Sequence, residues 1–218
     1  MMFFAYPSIL ARSVLFLCSS AASGWFASAV SAAPVQGYVM AIQMTPAVCM
    51  LDMQSAKKRK CLEGYSLNIS GLFPETTQVD CKTSSSAALS PLQAKVVARI
   101  MPDETARVQL WRAIGGCVPM SASQYFRTVI NYAERLKVPT ELTMPETQKI
   151  QLDSLRLQFL RLNRTLPSNA IKFNCTTYHA ASILTELKLC YKNDGSYKPC
   201  PTTVENSCPS SFIIKGSY

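Results

Sequence analysis

The chain has few of the residues that move protons or hold metals. It contains one histidine, His179, and none of its cysteines falls in C-x-x-C spacing. That excludes the common zinc clusters, so no metal and no other cofactor is expected. Charged residues make up 16%, low for a cytosolic protein, and no acidic residue precedes Asp52. A lasting membrane anchor is not expected either, because Gly24 and many Ser and Ala dilute the N-terminal apolar stretch.

The acid-free N-terminus reads instead as an export signal. Arg12 supplies the positive charge, Ser13 to Leu17 open an apolar stretch, and Val30-Ser31-Ala32 fits the small-residue cleavage pattern. Residues 1–32 are therefore expected to be removed, leaving 33–218 as one secreted or periplasmic domain without stable membrane insertion. Leu17 before Cys18 is too bulky for a lipoprotein signal. A chain of 218 residues, 48% hydrophobic, can bury one real core and does not read as disordered. The formal charge is +9, and the leader contributes only Arg12 to it. An exported domain of that charge suits an anionic partner such as RNA or a membrane surface.

Cysteine is plentiful. Beyond Cys18, the eight that remain are Cys49, Cys61, Cys81, Cys117, Cys175, Cys190, Cys200 and Cys208. An even count in an exported chain implies bridges formed in an oxidising compartment, with about 105 connectivities open.

Periodicity orders the rest. Residues 36–44 alternate Tyr38, Met40 and Ile42 with smaller or polar neighbours and read as a strand. A loop is expected over Thr45 to Gly64, carrying Lys57-Lys58-Arg59-Lys60. A second strand runs from Tyr65 to Ser70 and ends at Gly71-Leu72-Phe73-Pro74; Asn68 and Ser70 share one of its faces. Cys81 to Ser86 reads as a polar loop. Ser90-Pro91 opens a helix with a stripe of Leu92, Val96 and Ile100. A short helical stretch leads to Gly115-Gly116-Cys117. Ser121 caps a helix to about Leu136, and Pro145 opens another to Leu162. Strands over Ala170 to Thr176, Ser182 to Tyr191 and Phe212 to Ile214 follow, with a turn at Asn193-Asp194-Gly195. Strands, then helices, then strands indicate an α+β fold.

Several segments, in order, resemble the ribonuclease T2 family, especially its bacterial periplasmic branch. Ala41-Ile42-Gln43-Met44-Thr45-Pro46-Ala47-Val48-Cys49 is similar to the family's first strand, a Gln-Trp-Pro-Pro stretch ending in Cys. Leu67-Asn68-Ile69-Ser70-Gly71-Leu72-Phe73-Pro74 is similar to its first active-site segment, usually F-T-I-H-G-L-W-P. Leu110-Trp111-Arg112-Ala113-Ile114-Gly115-Gly116-Cys117 is similar to the second, usually E-W-x-K-H-G-x-C. The tail matches too, from Leu184-Thr185-Glu186-Leu187 through Cys190, Cys200-Pro201 and Cys208 to Phe212-Ile213-Ile214. The resemblance implies a central, mostly antiparallel sheet with helices packed on it. It also implies the bridges Cys49–Cys61, Cys81–Cys117, Cys175–Cys208 and Cys190–Cys200.

Members of that family cleave RNA by moving the phosphate onto the ribose 2′-OH, with imidazoles as acid and base. Here the family's first histidine position is Ser70 and its second is Ile114; its lysine is Ala113 and its glutamate Leu110. None of these can shuttle a proton at neutral pH unaided. The resemblance therefore implies a protein without intact catalytic residues. His179 is expected in a turn before a strand, away from both segments. Glu75 and Lys82 are expected to be surface charges.

Binding could outlast catalysis. Asn68 and Ser70 offer a polar patch, Phe73 and Trp111 offer rings for base stacking, and Lys57, Lys58, Arg59 and Lys60 offer charge for phosphates. Core packing is the competing reading of both rings, and a solvated loop that of the basic run. The sequons at Asn68, Asn163 and Asn174 are read as chance. RNA or a nucleotide is one expected partner, a protein or envelope component another, and altered nuclease activity the third alternative.

Overall fold

Strand β1 (Gly37–Met44) turns Tyr38, Met40, Ile42 and Met44 to one side, where none is more than 5% exposed. Val39 and Gln43, on the other side of the pleat, stay partly accessible. The computed structural model describes residues 34–52, 54 and 57–216. The expected export signal lies outside them. β1 pairs antiparallel with β2 (Leu67–Glu75) on one edge and with β5 (Ala181–Tyr191) on the other. β4 (Ile171–Tyr178) runs antiparallel along the far edge of β5. β6 (Ser211–Ile214) meets β5 in one parallel pair, Ile183 with Ile213, and holds β3 (Gln148–Gln151) on its outside. The six strands form a single mixed, mostly antiparallel sheet.

Helices cover its apolar face, giving the expected α+β architecture. They are α1 (Thr45–Leu51), α2 (Arg59–Leu62), α3 (Pro91–Ala98), α4 (Glu104–Ile114), α5 (Ala122–Arg135) and α6 (Leu152–Leu162). α5 starts in a capping box between Ser121 and Gln124. It buries Tyr125, Phe126, Val129 and Tyr132 against the sheet, and α6 adds Leu155 and Phe159. Four disulfides tie the periphery to this core: Cys49–Cys61, Cys81–Cys117, Cys175–Cys208 and Cys190–Cys200. The first joins α1 to α2; the second pins the polar loop after β2 to the end of α4. No helix among the described residues is long and apolar enough to cross a membrane.

The structure departs from the sequence reading in several places. The expected loop over 45–64 contains α1 and α2; Pro46 in the first turn of α1 is the start signal that was overlooked. β2 does not stop at Ser70 but continues through Pro74 to Glu75. It is an edge strand, where a proline costs no ladder bond. In α3, Leu92 is 75% exposed and Val97 rather than Val96 is buried; the helix ends at Ala98, so Ile100 lies beyond it. The short stretch before Gly115 is the eleven-residue helix α4, capped by Asp103. The expected helix from Pro145 begins only at Leu152, since Gln148 to Gln151 pair with β6 instead.

One side chain fixes the edge strand to the helices. The Tyr125 hydroxyl accepts from Leu72 N–H at 3.0 Å and donates to the Leu72 carbonyl at 3.1 Å. Leu72 belongs to β2, whose outward main-chain groups have no further strand to pair with. Burial pushes the Tyr125 phenol well above its ordinary pKa, and burial does the same to Tyr191. Tyr125→Phe keeps the ring but orphans two main-chain groups. A loss of about 1–3 kcal/mol is expected in urea denaturation. Because both phenols titrate higher folded than unfolded, their contribution is intact below about pH 10 and declines as pH rises further. Urea midpoints measured from pH 8 to pH 11 should fall above about pH 10, and Tyr125→Phe should flatten that fall.

Candidate functional site

The register of β2 slips once. Ile42 pairs with Ile69 and Ala41 with Gly71, so Ser70 stands opposite no residue of its own. Such a bulge re-aims the side chain that carries it. Ser70 donates its hydroxyl proton to the Ala41 carbonyl at 3.2 Å. Asn68 lies opposite Gln43 and donates to its Oε1 at 3.4 Å. The same oxygen accepts from Lys60 Nζ at 2.7 Å.

These groups line a cavity of about 160 Å³, together with Lys58 and Asp103. Lys60 reaches it because the Cys49–Cys61 bridge holds α2 beside the end of β1. The lysine is only 7% exposed. Desolvation lowers its pKa, repulsion from Lys58 adds to this, and Asp103 and Asp52 partly oppose it. A desolvated ammonium beside a second lysine, with one carboxylate on the cavity wall, favours an arriving anion.

The second segment meets the first next door. A Cβ on Gly71 would lie 3.0 Å from Leu110 Cδ1 and 2.9 Å from the Phe73 ring. The missing side chain of Gly71 is what lets α4 come this close. Thus the two segments, far apart in sequence, meet at Gly71 and Leu110, and the contact between them is apolar. Ile114 is 8% exposed and belongs to the core, while Ala113 faces solvent.

The other candidates divide. Phe73 is 38% exposed and keeps an open ring face. Trp111 does not: it is 2% exposed, packs 5.7 Å from Tyr125 and donates to Ser85 Oγ at 3.1 Å. It is a core residue, and the stacking role expected for it is corrected. Of the basic run, Lys58 and Lys60 line the cavity, Arg59 is paired with Glu63, and Lys57 is exposed outside the cavity. Glu75 pairs with Lys198. Asn68 and Asn163 are buried, which closes both sequons to modification.

His179 sits in the turn between β4 and β5, at φ 45°, edge-on to Tyr178 at 4.1 Å. Glu186 is opposite Gln43, and β5 starts, directly after the turn, five residues earlier at Ala181. At about 3.3 Å per residue that is about 16 Å beyond the cavity row. Gln43 and Asp103 were not singled out from sequence. Gln43 had a signal, as a polar residue on the outward face of an apolar strand; Asp103 reads simply as a helix cap, and it is one, accepting from Ala106 N–H at 3.1 Å. No cluster of potential metal ligands occurs among the described residues.

No family model matches the chain, and no curated protein matches it in sequence. Solved structures do match in shape. A mutant of ribonuclease MC1, bound to 5′-UMP, is 16% identical with a TM-score of 0.64, over 82% of this chain and 97% of that one. Ribonuclease MC1 comes from bitter gourd seeds, and another of its mutants was solved with 5′-GMP. The S3-RNase of Japanese pear is 18% identical, TM-score 0.57, over 84% of this chain and 99% of its own. An RNase-related protein from Calystegia sepium is 14% identical, TM-score 0.64, over 84% of this chain and 98% of its own. With the sheet order, helices and four disulfides already described, the chain has a ribonuclease T2-like α+β fold.

Proposed function

We propose that this chain is an exported ribonuclease T2-like protein that binds RNA or a nucleotide and does not cleave it. The observation that carries this reading is the state of Ser70. Its proton is committed to the Ala41 carbonyl, Gly71 beside it meets Leu110 across the segment contact, and the cavity it lines holds no imidazole. Transfer of a phosphate to the 2′-OH needs one group to take a proton and another to give one. Each such group is worth about 10²–10⁴-fold, so losing both leaves little turnover.

Binding draws on what remains. Lys58 and Lys60 supply charge, Gln43 and Asn68 supply amide groups, and the exposed Phe73 ring beside Gly71 can stack on a base for about 1–3 kcal/mol. The nucleotide complexes of ribonuclease MC1 mutants support the same reading by analogy of fold. Residues 1–32 act as a removed export signal, and the four disulfides suit the secreted or periplasmic compartment this implies. A second reading, a protein-binding or envelope scaffold on the same fold, is favoured by one observation: the apolar contact of Leu110, Gly71 and Phe73 at the segment junction.

A fluorescent single-stranded oligoribonucleotide separates the readings. The purified protein should leave it uncut, and binding should weaken linearly in a logarithmic salt plot. Lys58→Ala and Lys60→Ala should each reduce that slope by about 0.7. Salt-sensitive attraction that neither variant alters would favour the scaffold. Cleavage that disappears in Ser70→Ala would contradict the proposal.

A further inference from the structure

A second cavity lies along a different stripe of α4. Its volume is about 360 Å³, and it shares no lining residue with the Ser70 cavity. One wall is the serine run Ser84-Ser85-Ser86; the other is α4 through Arg107 and Arg112. The serine run is held in place. The Cys81–Cys117 bridge anchors the loop leading into it, Thr83 N–H donates to the Arg112 carbonyl at 2.9 Å, and Trp111 Nε1 donates to Ser85 Oγ.

Arg107 is the unexplained residue. It is only 6% exposed. One guanidinium nitrogen, Nη1, donates to the Met101 carbonyl. That is the one side-chain hydrogen bond of its guanidinium among the described residues. Glu104, one turn earlier on the same wall, is exposed and forms no ion pair with it. Burial pulls the Arg107 guanidinium's pKa down, and Glu104 and Asp103 only partly oppose this; a desolvated guanidinium so weakly countered favours an arriving anion.

The hydroxyls on the facing wall already accept hydrogen bonds, which leaves their protons available to donate. Ser85 Oγ already accepts from Trp111 Nε1 at 3.1 Å and from Thr83 Oγ1 at 3.0 Å. Ser86 Oγ accepts from Ala88 N–H at 3.1 Å. Each keeps its own proton for something in the cavity. Exposed Arg112 adds a second guanidinium, and Glu104 is the single carboxylate of the lining. A cavity rich in donors and short of acceptors complements a group that only accepts, and the planar guanidinium fork matches a tetrahedral oxyanion. An inorganic ion would fill a fraction of the space; Leu89, Val108 and Phe126 line the remainder with apolar surface.

We propose that this cavity binds a small phosphomonoester, its phosphate held by Arg107, Arg112 and the hydroxyls of Ser85 and Ser86. The test is a calorimetric titration of the full protein, in phosphate-free buffer, with inorganic phosphate, ribose 5-phosphate and ribose. Both phosphates should bind, the ester more tightly, and ribose should not. Arg112→Ala, at an exposed position, should weaken the ester by about tenfold or more without loss of fold. Absence of phosphate binding up to about 10 mM would overturn the proposal. So would an Arg112→Ala variant that binds like the parent. Binding lost in Lys60→Ala yet kept in Arg112→Ala would place the phosphate in the Ser70 cavity, overturning this site while supporting the reading of that one.

Discussion

The paired hydrogen bonds between the Tyr125 hydroxyl and the Leu72 main chain are the constraint on which the arrangement rests. β2 is an edge strand, and without a partner its outward amide and carbonyl would be left unsatisfied beneath the helices. Tyr125 answers both from α5. Leu72 is two residues past the bulge at Ser70 and one past Gly71, so fixing it fixes where Ser70 and Phe73 project. α4 then settles against Gly71 through Leu110, and its opposite stripe forms the wall of the larger cavity.

The chemistry of the site follows from that geometry. The fold brings Gly71, next to Ser70, against Leu110 of α4, so that an aliphatic side chain lies at the junction while the Ser70 hydroxyl is bound to backbone. Charge survives nearby because the Cys49–Cys61 bridge forces Lys60 into a desolvated position. On the proposed reading, the site attracts a phosphate and does not move protons around it. Fold alone would not settle this, since one fold hosts many functions and the side chains decide.

Much of the fold was legible because local signals agreed with tertiary packing. The alternation of Tyr38, Met40 and Ile42 marked β1, and Ser121 marked the start of α5. The reading failed where neighbours distant in sequence decided the outcome. Gln148 to Gln151 became a strand because β6 offered a partner, and α3 turned Val97, not Leu92, into the core. At the site, Asn68 and Ser70 could be paired by strand period, and Lys58 and Lys60 by charge. Gln43 and Asp103 required the strand register and a helix start to be known. Arg107 gave no signal at all, since a buried arginine and a solvated one look alike on an amphipathic helix.

The most direct test of the central claim is a phosphorus NMR time course of a ribodinucleotide mixed with the purified protein. The phosphodiester line should shift or broaden as the ligand binds and then keep its intensity, with no 2′,3′-cyclic phosphate line appearing. A cyclic phosphate line that grows with time and with protein concentration would contradict the account.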